Sequence, residues 1–321
     1  MPAVVTTVVG AGLMGYGIAR TLAGAGLDVV LYDAAPQALD AAVADLATNP
    51  LELLLGNGCE TAPGSPARGP GRVSVAADLA AALTGATMVI EAVIENLPVK
   101  QDLFERLDRL APHAILATNT SVLPVTAIAA RVTRPQRVVG THWWNPPGLI
   151  PIVEVVRGAA TSPETLGETE SFLRAVGKTP VRVERDLPGF IGNRLQHALW
   201  REAIALVADG VCDAATVDLV VRNTIGLRLA EMGPLGNADF VGLDLTLAIH
   251  DAILPSLNRD PHPSPLLRTL VADGHLGAKT GRGFLDWPTG ARAAAAARLA
   301  EHVAAQLTRT KPSHQREGRK P

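Results

Sequence analysis

Short β-branched runs alternate with amphipathic stretches through the first half of the chain. The runs "AVVTTVVG", "DVVLYD", "RVSVA", "TMVIEAVI", "AILATN", "RVVGTHWW", "IPIVEVVRG" and "TPVRVER" read as strands. Between them, "LMGYGIARTLAGAG", "PQALDAAVADLA", "DLAAALTGA", "PVKQDLFERLDRLA" and "PETLGETESFLRAVG" read as helices. In "PVKQDLFERLDRLA" the period places Leu103, Phe104, Leu107 and Leu110 on one face and charge on the other. Strands that alternate with helices predict an α/β fold with a doubly wound, mostly parallel sheet covered on both sides.

After "DLPGF" the pattern changes. Residues 189–211, 213–224, 239–258 and 264–273 carry helical periodicity, and no strong strand follows. The expected organisation is a nucleotide-binding domain over 1–187, a smaller all-α domain over 188–305, and a disordered basic tail over 306–321. The segment "GNGCETAPGSPARGPG" interrupts the first domain and reads as loop.

Composition narrows the function classes. A hydrophobic content of 47% with 19% charged residues is that of a globular protein. The net charge of −2 points away from a nucleic-acid or membrane partner. Two distant cysteines, Cys59 and Cys212, form no disulfide framework or metal motif, so no metal is expected and a reducing, cytoplasmic setting fits. The start "MPAVVTTVVGAG" lacks the basic region of a signal peptide.

Gly10, Gly12 and Gly15 spell G-x-G-x-x-G directly after a buried strand and at the start of a helix. The first glycine allows a tight turn, the second lets backbone approach a diphosphate, and the third lets helix and strand pack closely. Leu13 and Met14 complete the turn and belong with the cofactor-binding residues. The helix N-terminus favours an anion. Asp33 closes the second strand, placed to accept hydrogen bonds from a ribose diol and to repel a 2′-phosphate. Ala34 and Ala35 follow, so no arginine waits there for that phosphate. The expected fold is therefore Rossmann-type and the expected cofactor NAD.

The stretch "GTHWWNPPGLIPIVEVV" sets His142 and Glu154 on either side of a stiff turn. If the flanking runs pair antiparallel about Gly148, His142 faces Glu154, with Cβ atoms roughly 5 Å apart. A carboxylate so placed fixes the imidazole tautomer and stabilises the imidazolium, which makes a general base with its partner. A structural His–Glu pair is the alternative on these two residues alone.

With these motifs the chain resembles the 3-hydroxyacyl-CoA dehydrogenases. "GAGLMGYGIA", "EAVIENLPVKQDLFERLD", "ATNTSVLPVTAIA", "GTHWWNPPGLIPIVEVVRG", "GKTPVRVERDLPGFIGNRL", "GPLGNADFVGLD" and "GAKTGRGFLDW" follow in that family's order over roughly residues 3–287. The resemblance implies that His142 is the base and Glu154 its partner. It implies that Ser121 bonds the substrate oxygen and that Asn193 holds substrate and cofactor. It places Glu95, Lys100 and Asn119 on the nicotinamide and ribose side. Taken alone, Ser121 could instead cap a helix, Asn193 could be a surface amide, and Lys100 a solvated helical charge. Trp143 and Trp144 stand where the family commonly has phenylalanine. They either narrow the substrate cleft or pack the domain junction.

One departure bears on the substrate. CoA-using relatives carry a lysine-bearing helical hairpin after the second helix. Here "NPLELLLGNGCETAPGSPARGPGRV" has no lysine, and its positive charges are Arg68 and Arg72. The substrate is thus a 3-hydroxyacyl-CoA-like compound or, alternatively, a hydroxy acid or hydroxymethyl compound without CoA. Two rival classes fit less well. Dehydrogenases of the 3-hydroxyisobutyrate type need a lysine on the helix after the nucleotide domain, and "GFIGNRLQHALWRE" has none. A non-catalytic NAD sensor would not be expected to keep the His, Glu, Ser and Asn together. The small helical domain, apolar on more than one face, predicts a homodimer.

Overall fold

The computed structural model describes residues 5–49 and 69–309. The chain divides into two compact units, Met1–Arg194 and Leu195–Pro321. Most of the "GNGCETAPGSPARGPG" segment, with Arg68, and all but the first residues of the expected tail lie outside the described residues.

The first unit is built on one sheet of β1 (Thr6–Val9), β2 (Val29–Tyr32), β3 (Val73–Val75), β4 (Met88–Glu91), β5 (Ile115–Thr118), β6 (Val138–Trp143), β7 (Ile152–Val156) and β8 (Thr179–Val183). Their spatial order is β3-β2-β1-β4-β5-β6-β7-β8. Every neighbouring pair is parallel except β6 and β7. The order reverses between β1 and β4, which opens a crevice at their carboxyl ends where such sheets hold ligands. Strands β1, β4, β5 and β6 are buried along their whole length, as continuous apolar runs in a covered parallel sheet should be.

Helices α1 (Leu13–Gly24), α2 (Pro36–Thr48), α3 (Leu79–Ala82), α4 (Leu97–Leu110), α5 (Val125–Ile128) and α6 (Pro163–Ala175) complete this unit. They give it two cores. One gathers Ile18, Leu22, Leu31, Ile90, Val153 and Leu173; the other gathers Phe104, Leu107, Leu116, Ile128 and Val138. Asn96 caps α4 by accepting from the Val99 N–H. Phe104 and Leu107 are buried as the periodicity predicts, but Leu110 is exposed because it ends the helix.

The second unit is helical: α7 (Gly192–Ala208), whose first residues belong to the first unit, then α8 (Ala214–Asn223), α9 (Ile225–Leu229), α10 (Pro234–Val241), α11 (Leu243–Ile253), α12 (Pro265–Ala272) and α13 (Ala291–Arg309). The division after Arg194 falls later than the expected boundary at 187, since the Gly192 N–H and the Asn193 side chain bond to the first unit. The single helix expected over 239–258 is two helices. Gly242, at φ +108°, turns the chain between them. Helix α13 continues through Arg309, so the expected tail boundary at 305 lies inside a helix.

Candidate active site

The glycine turn between β1 and α1 has the geometry a dinucleotide needs. Gly10 takes φ +108°, and a Cβ there would lie 2.5 Å from the Ala92 carbonyl oxygen. A Cβ on Gly15 would lie 1.9 Å from the Gly10 oxygen, so the third glycine is required for helix and strand to meet. Around Gly12 a Cβ would meet nothing within 4 Å, which leaves its backbone open to an approaching group. Gly12 starts α1 without a side-chain cap, and Leu13 is exposed beside it while Met14 is half-buried. The first N–H groups of α1 therefore suit an anion. Asp33 Oδ2 accepts from the Ala11 N–H at 2.7 Å, and Oδ1 accepts from the Ala35 N–H at 2.8 Å. The carboxylate both braces the turn and keeps lone pairs for a ribose diol.

His142 and Glu154 face each other across antiparallel β6 and β7, in the register the hairpin centre predicts. His142 Nδ1 lies 2.6 Å from Glu154 Oε2, and both side chains are buried. Glu154 Oε1 accepts from the Ile191 and Gly192 N–H groups at 2.9 and 3.1 Å. Burial pushes this carboxyl up, but the bonds from His142, Gly192 and Ile191 outweigh it and hold it below the ordinary carboxylate value. An ionised Glu154 can only accept, so in the neutral ring Nδ1 carries the proton and Nε2 keeps the lone pair. Phe190, at φ +50°, and Trp144 flank the imidazole, with ring centroids 5.7 and 4.9 Å away.

Asn193 and Ser121 are brought together: the Asn193 Nδ2 donates to the Ser121 carbonyl at 3.0 Å. Ser121 does not cap α5. That helix starts after Pro124, and the Val125 and Thr126 N–H groups donate to Asp186. Glu95 accepts from Thr120 Oγ1 and from the Ser121 and Val122 N–H groups. Burial raises its carboxyl, and the Thr120, Val122, Lys100 and Ser121 contacts together bring it below the usual value. Asn119 Oδ1 accepts from the Trp143 N–H at 2.9 Å, which ties β6 to the end of β5. Lys100 is not the solvated helical charge its sequence context allowed. Its side chain is 1% exposed, and its ammonium lies 2.6 Å from Glu91 and 3.3 Å from Glu95.

The two tryptophans have different duties. Strand alternation turns Trp143 into the core and Trp144 to the side of His142. A Cβ on Gly192 would lie 2.2 Å from the Trp144 ring, so only glycine fits there. The Asn145–Pro146 peptide in the turn is cis. Lys178 Nζ donates to the Pro147 and Ile150 carbonyls at 2.6 and 2.9 Å and holds that turn. A Cβ on Gly17 would lie 2.6 Å from Pro147, so the turn packs on α1. Sequence reasoning missed Lys178, Phe190, Glu91 and Thr118. An acid that ends an apolar strand, as Glu91 does in "MVIE", was the one available signal. Among the described residues no cluster of His, Cys, Asp or Glu could hold a metal, and no helix is long and apolar enough to cross a membrane.

The chain resembles known proteins over most of its length. The model of the 3-hydroxyacyl-CoA dehydrogenase NAD-binding domain matches residues 5–187, and that of the C-terminal domain matches residues 189–287. A probable 3-hydroxybutyryl-CoA dehydrogenase of Bacillus subtilis is 43% identical over 87% of this chain and 96% of its own length. The 5-formyl-3-hydroxy-2-methylpyridine 4-carboxylate 5-dehydrogenase of Mesorhizobium japonicum is 36% identical over 86% of this chain and 88% of its own. A crystal structure of a dehydrogenase for that same pyridine acid, described as an NAD+-dependent dismutase, matches with TM-score 0.86 and 35% identity, covering 95% of this chain and 97% of the other.

Proposed function

The chain belongs to the 3-hydroxyacyl-CoA dehydrogenase family, and from that premise we propose that it oxidises the 3-hydroxyl of a 3-hydroxyacyl-CoA-like substrate to the 3-ketone, with His142 as general base and Glu154 as its partner. It is an NAD-dependent oxidoreductase acting on CH–OH groups. The observation that carries the proposal is the opposed, buried His142–Glu154 pair at 2.6 Å.

The residues present suit the cofactor: an open backbone at Gly12, an uncapped α1 N-terminus and a carboxylate at Asp33. Bound NAD supplies the hydride acceptor. The protein's part is to move the proton and fix the reacting carbon. His142 Nε2 takes the hydroxyl proton, and the imidazolium is stabilised by Glu154, itself held by the Ile191 and Gly192 N–H groups. Ser121 and Asn193 are neutral donors that can bind the reacting oxygen as hydroxyl or as carbonyl without imposing a charge. NADH formation with a panel of 3-hydroxyacyl-CoA thioesters and 3-hydroxy acids tests the proposal. No turnover with any of them would remove it.

A second reading, the same chemistry on a substrate without CoA, has its own support. The segment from Pro50 to Gly71 has no lysine, and one relative in both sequence and fold is named for a pyridine carboxylate. Each charge-assisted contact missing from a CoA phosphate costs roughly 1.5–3 kcal/mol. The two readings make one common prediction. The kcat/KM values of a CoA thioester and its N-acetylcysteamine analogue should lie within about tenfold. A much larger advantage for full CoA would reveal a nucleotide site in that segment and favour the CoA thioester.

A further inference from the structure

Glu91 and Lys100 form an ion pair with side chains 0% and 1% exposed. Such a pair contributes little to stability by itself, because desolvation offsets the attraction and apolar residues of similar size serve as well or better. The expectation is therefore that the pair holds something in place. Its bonds show what. Glu91 Oε1 accepts from Lys100 Nζ at 2.6 Å and from the Val93 N–H at 2.7 Å, and Oε2 accepts from Thr118 Oγ1 at 2.7 Å. Lys100 Nζ also reaches Glu95 Oε2 at 3.3 Å. Glu95 Oε1 then accepts from Thr120 Oγ1 at 2.6 Å, the Ser121 N–H at 2.9 Å and the Val122 N–H at 3.0 Å. The Ser121 carbonyl accepts from Asn193, and Asn193 follows Gly192, whose N–H donates to Glu154. A polar chain thus runs from the end of β4 to Asn193, whose backbone neighbour Gly192 donates to the Glu154 carboxylate.

We propose that Glu91 and Lys100 are positioning residues, which lock Glu95 and through it the Ser121–Val122 backbone, so that Ser121 and Asn193 stand in register with the His142–Glu154 pair. Glu91 is the fixed end of the relay. Its strand is buried on both faces, both of its oxygens are bonded, and it touches neither His142 nor Glu154 directly. Lys100 is the coupling element, since a single ammonium satisfies a rigid carboxylate on one side and a half-exposed one on the other. An apolar pair could fill the space but would offer Glu95 Oε2 no ammonium while Oε1 is committed to the loop.

The inference rests on the assignment of His142, Ser121 and Asn193 to catalysis, so its test has one arm that needs no substrate. Glu91→Gln in the full-length protein keeps the shape and removes the charge. Amide hydrogen exchange at Ser121 and Val122 should rise by roughly tenfold, while the Ile191 and Gly192 amides keep their protection. In turnover, Glu91→Gln should lower kcat by about tenfold in the wild-type background and by less than about twofold in a Ser121→Ala background, because the two residues act as one unit. Should Glu91→Gln not fold, the double variant Glu91→Gln, Lys100→Met removes the pair without leaving one charge buried alone, and it should raise exchange at the same two amides. Unchanged exchange at Ser121 and Val122 in whichever variant folds overturns the relay. So does a Glu91→Gln effect on kcat that simply multiplies with that of Ser121→Ala. A wild-type protein inactive on every 3-hydroxy substrate would remove the functional reading instead, and the exchange arm would still decide the relay.

Discussion

Residues 5–194 and residues 195–309 are both rich in apolar side chains, yet they treat them in opposite ways. The first unit buries them in two cores, one on each face of the sheet. In the second, Ala205 is the sole buried residue among those described. Leu235 and Phe240 are 80% and 79% exposed, and Val211, Leu227, Leu243 and Leu247 stand similarly in the open. Burial of a Leu or Phe side chain is worth about 1.5–3 kcal/mol. Six of them left in water forfeit roughly 10 kcal/mol, which is of the order of a whole domain's stability, about 5–15 kcal/mol. The first unit holds a buried core of its own, and the second leaves most of its apolar side chains exposed. These exposed helices support the proposal that a second copy of this chain covers the second unit in a homodimer. The difference teaches that candidate chemistry and unpartnered surface are divided: every candidate catalytic residue lies in the first unit, and the exposed apolar surface lies in the second.

The sharpest way to break this division is to attack the chemistry without touching the assembly. His142→Ala should lower kcat by about 10²–10⁴ with dimer mass and NAD binding kept. Glu154→Gln should act in the same direction and less than additively with it. A His142→Ala protein with near-wild-type kcat would take the base out of the first unit. The converse attack is on assembly. Light scattering at micromolar concentration should give twice the chain mass. The pair Phe240→Asp and Leu247→Asp should weaken association by roughly ten- to a hundredfold, or about 1.4–2.8 kcal/mol. A monomeric wild type would leave the exposed helices unexplained and end the dimer inference.

Cofactor choice is a smaller effect and belongs to the first unit alone. With Asp33 braced against Ala11 and Ala35, catalytic efficiency with NAD should exceed that with NADP by at least about tenfold, or 1.4 kcal/mol. Equal efficiencies would mean that Asp33 serves the turn and not the ribose.

The smallest expected effect is acid sensitivity, again confined to the first unit. Glu154 and Glu95 both lie below their ordinary value of 4.5 in the folded chain. A depressed carboxylate binds protons less well folded than unfolded. Its stabilisation is therefore fully present above about pH 4.5 and is lost as pH falls through the folded value. Denaturant titrations from about pH 6 downward should show that loss, and Glu154→Gln should reduce it. Identical acid profiles for variant and wild type would show that Glu154 contributes nothing to it.

Much of this was legible along the chain because the determining forces are local. Eight runs became eight strands, and the four at the centre of the sheet, buried along their whole length, had few other fates. The glycine turn followed from contacts a Cβ cannot survive, at Gly10 and Gly15. The pairing of His142 with Glu154 followed from the centre of one hairpin, where the pairing register is set by a few residues. Helix continuity was less legible: Gly242 broke an expected helix through a backbone angle that side-chain periodicity does not record.

What the amino-acid order determined by itself was the α/β architecture, the glycine turn and the facing of His142 and Glu154, all products of short-range periodicity, turn chemistry and strand register. What only the tertiary structure decided was how distant polar groups share a site. Lys100 meets Glu91 because α4 lies over the end of β4; Asp186 caps α5 from the end of the first unit; and Asn193 starts a helix that belongs, at its first turn, to the catalytic unit. A buried charge is a violation of the pattern that sequence reading relies on, and it is stable only where a partner from elsewhere in the chain is delivered to it. That delivery is a property of packed elements in three dimensions, and no periodicity along the chain encodes it.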